Sequence, residues 1–336
     1  MPAPDQQKQT MRSADGGPGD FAAPVADELA AVRRCMSEQL VTSDDVLDGM
    51  LGYVGARAGK MLRPAMLLLT GAACANLSDT HVRAAAVVEL IHAATLLHDD
   101  VLDEAESRRS TRTANRLWGN ASAVLLGDFL LSKVFVMSTT LQPPRVGQLL
   151  SCATVDICRG ELRQNIECRN WYLNEQTYYE IVRDKTAALF AAACYLGSFI
   201  AGGPETRHER FREYGLNVGM AFQITDDLLD IVGDEARVGK TLGTDLAHGK
   251  VTLPLIHLLA SYDKSRRLAL IARLSDPLAD PRELIDMFHD AGSIEYTWSV
   301  ARRFGREAAD ALAAVETPNP TEPLAAIANN IASRTA

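Results

Sequence analysis

The chain carries the same acidic pattern twice, and each copy lies in an otherwise apolar stretch. The first copy, DDVLD, occupies residues 99–103 and the second, DDLLD, occupies residues 226–230. On a helix, residues four apart share one face, so the outer aspartates of each copy present two carboxylates together. Carboxylates in apolar surroundings are unfavourable unless a cation neutralises them. The chain must therefore fold so that both copies face a cavity, and their oxygens suit Mg²⁺ that also binds substrate phosphates.

The composition is that of a helical protein that does not bind nucleic acid. The chain has 336 residues, of which 47% are hydrophobic, 23% are charged and only 6% are aromatic. This balance permits one large core and favours helices over strands. The formal net charge of −9 argues against a nucleic acid partner. The six cysteines form no CxxC pair, which is typical of reduced thiols, and we predict a cytoplasmic protein.

Apolar residues recur at helical spacing along nearly the whole chain, and no strand pattern interrupts them. We predict an all-α, single-domain helical bundle with a central cavity, formed by residues 25–336, after a flexible tail at residues 1–24. The longest predicted helix runs from Asp79 or Thr80 to about Leu102 and should be central, because it is apolar nearly all round. The other predicted helices cover about 24–40, 64–75, 121–141, 146–168, 176–201 and 207–232, with one more near Pro254 and three or four shorter ones in 263–333.

One segment approaches the length of a membrane span. Residues 186–204 contain no charged side chain. They are rich in Ala, Gly and Ser rather than in Leu and Ile, and Lys185 directly precedes them. We therefore predict a helix buried in a helical core and no transmembrane segment.

Basic residues cluster beside the acidic copies although the protein as a whole is acidic. For any one of them, a solvated surface charge is the commoner explanation. The set as a whole favours a site for two diphosphates, because Lys and Arg around bound Mg²⁺ are what such a site needs. The residues are Lys60, Arg63, Arg108, Arg109, Lys185, Lys240 and Lys250.

These motifs, in this order, resemble those of the trans-isoprenyl diphosphate synthases, the polyprenyl synthetase family, and most of all its long-chain members. GKMLRP at 59–64 matches the family's GKxxRP motif, and His92 precedes the first aspartate-rich motif at the expected distance. The KT pair at 185–186 and FQITDDLLD at 222–230 follow, and GKTLGTD at 239–245 and GK at 249–250 complete the set. The resemblance implies the isoprenoid synthase fold, a prenyl-transferring enzyme and a homodimer.

The resemblance also implies which residues hold the metal. Asp99, Asp103 and Asp226 would ligate about three Mg²⁺ ions that bridge an allylic diphosphate, with Asp100, Asp227 and Asp230 assisting directly or through water. Thr186 and Gln223 would stabilise the allylic cation through their oxygen dipoles. The implied catalytic residues are Asp99, Asp103, Asp226, Lys185, Thr186 and Gln223.

Two sets of side chains would bind the two substrates. The diphosphate that leaves takes the metals, whereas side chains suffice for the diphosphate that stays. The residues implied for the allylic diphosphate are Arg108, Lys185, Gln223, Lys240 and Lys250, and Thr186 lies beside them. The residues implied for isopentenyl diphosphate are Lys60, Arg63, His92 and Arg109.

Product length depends on the helix that ends at Asp99, because the growing chain should run down beside it. One helical turn is about 5.4 Å, close to one isoprene unit. Ala94 and Thr95 lie about one turn below the metals, and their small size predicts a long product, roughly C30 to C50. A wall or floor is predicted at Phe135, on the helix that follows.

Three alternatives remain at this point. A neighbouring helix could close the tunnel early, giving a farnesyl or geranylgeranyl diphosphate synthase. The chain could be a non-catalytic subunit of a heteromeric synthase, but both aspartate motifs are whole. A terpene cyclase of related fold would not need Lys60, Arg63 and Arg109, which serve a second diphosphate.

Overall fold

The computed structural model describes residues 21–56, 59–108, 111–233, 243–275 and 284–333. Within these ranges the chain is almost entirely helical, which confirms the predicted all-α class. The helices are α1 (Ala26–Gln39), α2 (Asp45–Ala56), α3 (Leu62–Cys74), α4 (Asp79–Leu102), α5 (Ala114–Trp118), α6 (Asn120–Thr139), α7 (Arg145–Ile166), α8 (Glu175–Val182), α9 (Ala188–Ala201), α10 (Glu205–Val232), α11 (Thr244–Ala247), α12 (Leu253–Ser261), α13 (Lys264–Leu274), α14 (Ile285–Asp290), α15 (Ser293–Ala313) and α16 (Glu322–Ser333).

The first acidic copy is carried by α4, which is central as predicted. Its start is fixed at Ser78, whose N–H donates to Nδ1 of His81 at 3.1 Å. Side chains on all of its faces are buried, because α4 packs against α1, α3, α6 and α9. The end of α4 therefore opens at the top of the bundle, where its aspartates can reach a cavity.

The second acidic copy ends α10, the longest described helix, which packs against α9 and α15. Two hydrophobic clusters form the core, and α10 contributes residues to both: Phe211 and Tyr214 to one, Ile224 and Leu228 to the other. Because α10 joins the two clusters, the position of its C-terminal aspartates is fixed by the whole core.

Several element boundaries differ from the sequence-based predictions. The helix predicted at 176–201 is interrupted by one π-helical turn, Arg183–Ala187. Helix α2 was not predicted, and α15 is longer than expected. A two-stranded antiparallel hairpin pairs β1 (Ser107–Arg108) with β2 (Thr111–Arg112). Phe21 and Ala22, placed in the predicted tail, pack against the core; residues 1–20 lie outside the described residues, and the division into tail and domain stays a prediction.

One described helix, α6, is long and apolar enough to cross a membrane by length and composition. This is weak evidence for a span, since core helices of other proteins pass the same test. One face of α6 packs into the core through Leu126, Leu130 and Val134. Its opposite face carries Leu125 and Val136, which are exposed. The segment at 186–204 forms most of α9, whose side chains are largely buried, as expected for a core helix.

Candidate active site

The aspartates that end α4 have different surroundings. Asp100 is buried, and its carboxylate accepts a hydrogen bond from Nε of Arg108 at 2.8 Å. Its backbone oxygen accepts a second hydrogen bond, from Nδ2 of Asn115 at 3.0 Å. Asp99 and Asp103 are half-buried and lie on another face of the helix end. The middle aspartate thus anchors the turn after α4, while the outer two meet neighbouring cations.

The first two aspartates that end α10 also differ in their surroundings. Asp227 is buried, and its carboxylate accepts hydrogen bonds from Oη of Tyr178 and Nε2 of Gln223, both at 2.7 Å. Asp226, one residue earlier, is exposed. The middle aspartate of each copy therefore has a structural task that the sequence pattern did not reveal, and its assisting role at the metal stays a prediction.

The last aspartate of the second copy, Asp230, holds the segment that follows α10. It is 1% exposed, and its two carboxylate oxygens accept hydrogen bonds from Oγ1 of Thr244 and the backbone N–H of Asp245, both at 3.0 Å. Its role as a metal ligand stays a prediction, and the structure gives this carboxylate a second task in fixing α11.

A lysine connects the two acidic copies. Nζ of Lys250 lies 2.8 Å from Oδ1 of Asp103 at the end of α4 and 3.2 Å from Oδ1 of Asp245. Asp245 in turn donates its N–H to Asp230 at the end of α10. Although burial alone would lower it, the pKa of Lys250 is raised by the carboxylates of Asp245 and Asp103, so the ammonium stays charged. Lys250 thus links the first copy to the segment that Asp230 of the second copy holds.

The π-helical turn carries the predicted Lys185-Thr186 pair. A π turn contains one residue more than an α turn and is frequent at functional sites. Here it packs against Gly160 of α7, where an added Cβ would meet the backbone nitrogen of Lys185. Nζ of Lys185 lies 2.6 Å from Oε1 of Glu161 and donates to Oε1 of Gln164 at 2.8 Å. Close backbone approach at Gly160 therefore brings the lysine beside the helix that faces it.

Thr186 and Gln223 contact each other, and their predicted role at the allylic cation stays a prediction. Oγ1 of Thr186 donates a hydrogen bond to Oε1 of Gln223 at 2.7 Å, and Nε2 of Gln223 donates one to Oδ1 of Asp227. Tyr178 donates to the same carboxylate. This chain of hydrogen bonds fixes the orientation of the Gln223 amide in a largely buried environment.

The carboxylates around Asp99 are only partly neutralised by the neighbouring cations. Burial, together with the nearby carboxylates of Glu161 and Asp103, raises the pKa of Asp99 well above its usual range, although Lys185 opposes the shift. A divalent cation would relieve this repulsion. Within the described residues, no three His, Cys, Asp or Glu side chains are close enough to hold a metal by themselves. One or two carboxylates plus substrate phosphates are the set that Mg²⁺ usually takes, so the donors fit that ion.

A second cationic set lies in a separate cavity of about 110 Å³. Lys60, Arg63 and His92, all predicted for isopentenyl diphosphate, line it together. The guanidinium carbon of Arg63 lies 4.3 Å from the centre of the Phe190 ring. Buried Nε of Arg63 has no hydrogen-bond partner among the described residues. A buried donor without an acceptor is costly, so a ligand oxygen is the natural partner for it.

Burial also weakens the proton affinity of this arginine. It lowers the pKa of Arg63 to about 10, although the carboxylates of Glu89 and Asp226 oppose the shift. The side chain remains cationic at neutral pH. Glu89 is 4% exposed and lines the same cavity, so this cavity is less positive than its three basic residues alone suggest.

Two predicted ligands lie outside the described residues, Arg109 and Lys240. Arg108 is described, and it pairs with Asp100 rather than with an outer aspartate. The structure therefore places every described basic candidate at one of two positions: beside the acidic copies, or in the cavity with Arg63. Their binding roles stay predictions.

The residues predicted to set product length do not all lie where expected. Ala94 is completely buried on α4, and Thr95 is half-buried and donates to the backbone oxygen of His92. Phe135 is 58% exposed and lines a groove between α6 and α7 on the outer surface. A tunnel floor must be buried in the chain that forms it, so placing Phe135 at the floor was wrong. Helical spacing put this residue on α6 but did not show which face packs on α4.

Some residues of the site escaped the sequence analysis. Glu161 and Gln164 hold Lys185, and Tyr178 holds Asp227. The signal available for the first two was their spacing of three on α7, one residue after a glycine. Nothing local to Tyr178 pointed to an aspartate on a different helix.

The fold and this site define a class of protein: an all-helical protein in which two aspartate clusters end two central helices and basic side chains line a cavity. Residues 44–288 match the model of the polyprenyl synthetase family. The octaprenyl diphosphate synthase of Escherichia coli is 37% identical over 296 residues, which cover 87% of this chain and 90% of that protein.

Solved structures agree. The decaprenyl diphosphate synthase of Rhodobacter capsulatus is 34% identical, with a TM-score of 0.87 over 94% of this chain and 98% of the other. The polyprenyl synthase of Caulobacter crescentus, complexed with calcium and isoprenyl diphosphate, is 32% identical, with a TM-score of 0.89 over 96% and 99%. The chain belongs to the polyprenyl synthetase family and has the isoprenoid synthase fold.

Proposed function

We propose that this protein joins an allylic diphosphate to isopentenyl diphosphate in successive head-to-tail steps and releases a long polyprenyl diphosphate. The observation that carries the proposal is a pair of sites: the aspartates of the two copies, linked through Lys250 and Asp245, and a cavity lined by Lys60, Arg63 and His92. Two separate cationic sites fit two diphosphates, of which one leaves and one stays. The long-chain relatives support the product class.

The outer aspartates Asp99, Asp103 and Asp226 would hold Mg²⁺, with Asp230 close by. When bound, the metal supplies positive charge against the leaving diphosphate. The chain's own cations, Lys185 and Lys250, are placed to share this task.

The side chains around the reacting carbon have separate roles. As the allylic carbon–oxygen bond breaks, Lys185 stabilises the negative charge that develops on the departing oxygen. The oxygen dipoles of Thr186 and Gln223 stabilise the allylic cation. The double bond of isopentenyl diphosphate then attacks that cation. The proton lost from the isopentenyl unit goes to an oxygen of the released diphosphate. The step therefore requires no protein base.

The proposal includes a homodimer in the cytoplasm. An exposed apolar surface on α6 and α7 supports the dimer, since contiguous apolar patches mark interaction sites. We define this surface as the α6–α7 face; its members are Leu125, Phe135, Val136, Val155, Leu162 and Ile166. Burial of the face between two chains would also account for the apolar character of α6 without a membrane.

The test is turnover of the purified chain with farnesyl diphosphate, radiolabelled isopentenyl diphosphate and Mg²⁺, followed by chromatography of the products. We expect a ladder of intermediates that ends at roughly C30 to C50, and no product after the metal is removed with EDTA. Arrest at C15 or C20 would favour the short-chain alternative. Absence of any condensation would refute the proposed function.

A further inference from the structure

The cavity that contains Lys60, Arg63 and His92 is completed by the far end of the chain. Three residues of α16 line it: Ile327, Asn330 and Ile331. They are spaced by three and four, so they share one face of the helix. Ile327 and Ile331 are buried, and Asn330 between them is half-buried. A polar residue therefore interrupts an apolar face at the point where that face meets the cationic cavity.

Helix α16 is held firmly in this position. Oη of the buried Tyr214 on α10 donates to the backbone oxygen of Leu324 at 2.8 Å. Leu324, Ile327 and Ile331 belong to the main hydrophobic cluster, which also includes residues of α3 and α10. Because α16 is fixed to the helices that carry Arg63 and the second acidic copy, Asn330 has a defined place in the cavity.

The chemistry of the cavity favours an amide at this place. The basic side chains make the cavity positive, but the carboxylate of Glu89 reduces that charge. Nε of Arg63 has no acceptor among the described residues. An asparagine amide donates two hydrogen bonds without adding charge, and its shape is fixed when its neighbours are packed. A carboxylate of the same shape would repel a diphosphate.

From this arrangement we propose that Asn330 is a binding residue for the diphosphate of isopentenyl diphosphate, so that the last helix forms one wall of that site. This inference rests on the proposed function and adds to it a residue remote from every motif in the sequence. The amide donates to a diphosphate oxygen beside Arg63, and it acts on the substrate that stays rather than on the one that leaves.

The test is steady-state kinetics on the full chain with each substrate varied in turn. Asn330→Ala should raise KM for isopentenyl diphosphate about ten-fold, the effect of losing a hydrogen bond to a charged group, and should change KM for farnesyl diphosphate less than two-fold. Asn330→Asp has nearly the same shape but adds a negative charge, so it should raise KM for isopentenyl diphosphate at least as much. A residue that only packs would tolerate this change.

The neighbouring asparagine provides a matched control. Asn329 lies on the same helix and is exposed, so Asn329→Ala should leave both constants unchanged. Thermal unfolding of each variant separates a folding defect from a binding defect. An unchanged KM for isopentenyl diphosphate in folded Asn330→Asp would overturn the inference. If Arg63→Lys raises that constant at the same time, the proposed function survives; if the wild-type chain consumes no isopentenyl diphosphate, the function itself fails.

Discussion

At the scale of single residues, the aspartates of each copy have separate tasks. Asp100 and Asp227 are buried and accept hydrogen bonds from Arg108, Tyr178 and Gln223. Asp99 and Asp103 are half-buried and Asp226 is exposed. Removing a buried carboxylate leaves its donors unsatisfied, whereas removing one of these three would remove a predicted cation ligand. Substitutions at the two kinds of position should therefore fail for different reasons.

Asp99→Ala and Asp226→Ala should each lower kcat by about 10³-fold or more, because each removes a major electrostatic support for the leaving diphosphate. Thermal unfolding should change little, since neither aspartate is fully buried. Stopped assays at saturating Mg²⁺ give the measurement. Asp310→Ala, at an exposed aspartate on α15, is the control. Near-normal turnover of either active-site variant would contradict the assignment.

Arg63→Lys should raise KM for isopentenyl diphosphate at least ten-fold and should affect the allylic substrate much less. Lysine keeps the charge but loses the planar fork of donors and the contact with Phe190. Initial rates with each substrate varied in turn measure this. Arg266→Lys, at an exposed arginine on α13, should leave both constants unchanged. Equal changes in both constants for Arg63→Lys would show that the two sites are not separate.

Residue types and spacing were enough to predict that the two copies lie at the ends of two central helices with basic residues nearby, whereas the individual binding roles stay predictions. They could not predict that Asp100 and Asp227 are buried and hydrogen-bonded to Arg108, Tyr178 and Gln223. Whether an aspartate is buried or exposed depends on which helix packs against it, and the local sequence does not show this. Asn330 escaped for a similar reason: only the docking of α16 brings it to the cavity.

At the scale of elements, α4 governs product length in this proposal. Ala94→Phe places a ring about 7.5 Å below Asp99, at 1.5 Å per residue. The site is completely buried, and a packed wall does not yield without an overpacking cost, so elongation should stop near farnesyl or geranylgeranyl length. Product chromatography gives the answer.

The control for this substitution is Ala93→Phe. Ala93 lies next along the helix but faces another direction, into a cavity lined by Met36 and Tyr53 of α1 and α2 and also by His92 and Arg108. Its substitution should leave product length unchanged, even if the rate falls. Unaltered product length in active Ala94→Phe would show that the chain does not grow along this face of α4.

The loop that carries Lys250 depends on a glycine. Gly249 has φ +79°, and an added Cβ would lie 2.5 Å from Cγ of Arg169 and 3.1 Å from Sγ of Cys168. Arg169 donates its N–H to the Gly249 oxygen at 2.8 Å. Gly249→Ala should cost about 1 to 2 kcal/mol of unfolding free energy from φ alone and should displace Lys250. We expect a raised KM for the allylic substrate.

Gly292→Ala separates these two effects. Gly292 also has a positive φ, +66°, but an added Cβ there would have no atom within 4 Å. Urea unfolding should show a loss of stability in both variants, whereas only Gly249→Ala should change the allylic KM. A normal KM in Gly249→Ala would mean that Lys250 is not positioned by this loop.

The long, strongly apolar helices were predicted almost to the residue, since α4 and α10 have clear limits in sequence. Helix α2 was missed because Gly49, Gly52 and Gly55 lower its helix propensity, and packing supplies what propensity lacks. The π turn left no trace in periodicity, because one extra residue is a small change over a long helix. The error at Phe135 has the opposite origin: α6 is apolar on several faces, so its pattern could not show which face is inside.

At the scale of the whole molecule, the α6–α7 face should hold two chains together. It borders a groove of about 580 Å³, where Phe135, Val155, Leu162 and Ile166 lie beside Arg159 and Arg163. Sedimentation of the wild-type protein should give twice the chain mass of 36.5 kDa. Leu162→Lys, at a side chain 65% exposed, should give the single-chain mass, because a buried unpaired charge is unfavourable.

An isolated exposed leucine supplies the comparison. Leu268 on α13 is 48% exposed and lies outside the α6–α7 face, so Leu268→Lys should sediment like the wild type. A single-chain mass for the wild-type protein at micromolar concentration would exclude the homodimer and leave the apolar face of α6 without its proposed partner.

The extra residue in the π-helical turn at Arg183–Ala187 sets the rotation of α9 about its axis relative to α8. Each residue of an α-helix advances about 100°, so deleting one residue there would join α8 and α9 into a single regular rod while rotating one against the other by that angle. Tyr178 could then no longer meet Asp227 if α9 kept its place in the core. The helical content of such a deletion variant would be almost unchanged, and its circular dichroism would look native. Only the orientation of α8 relative to α9 would differ from that of the native protein.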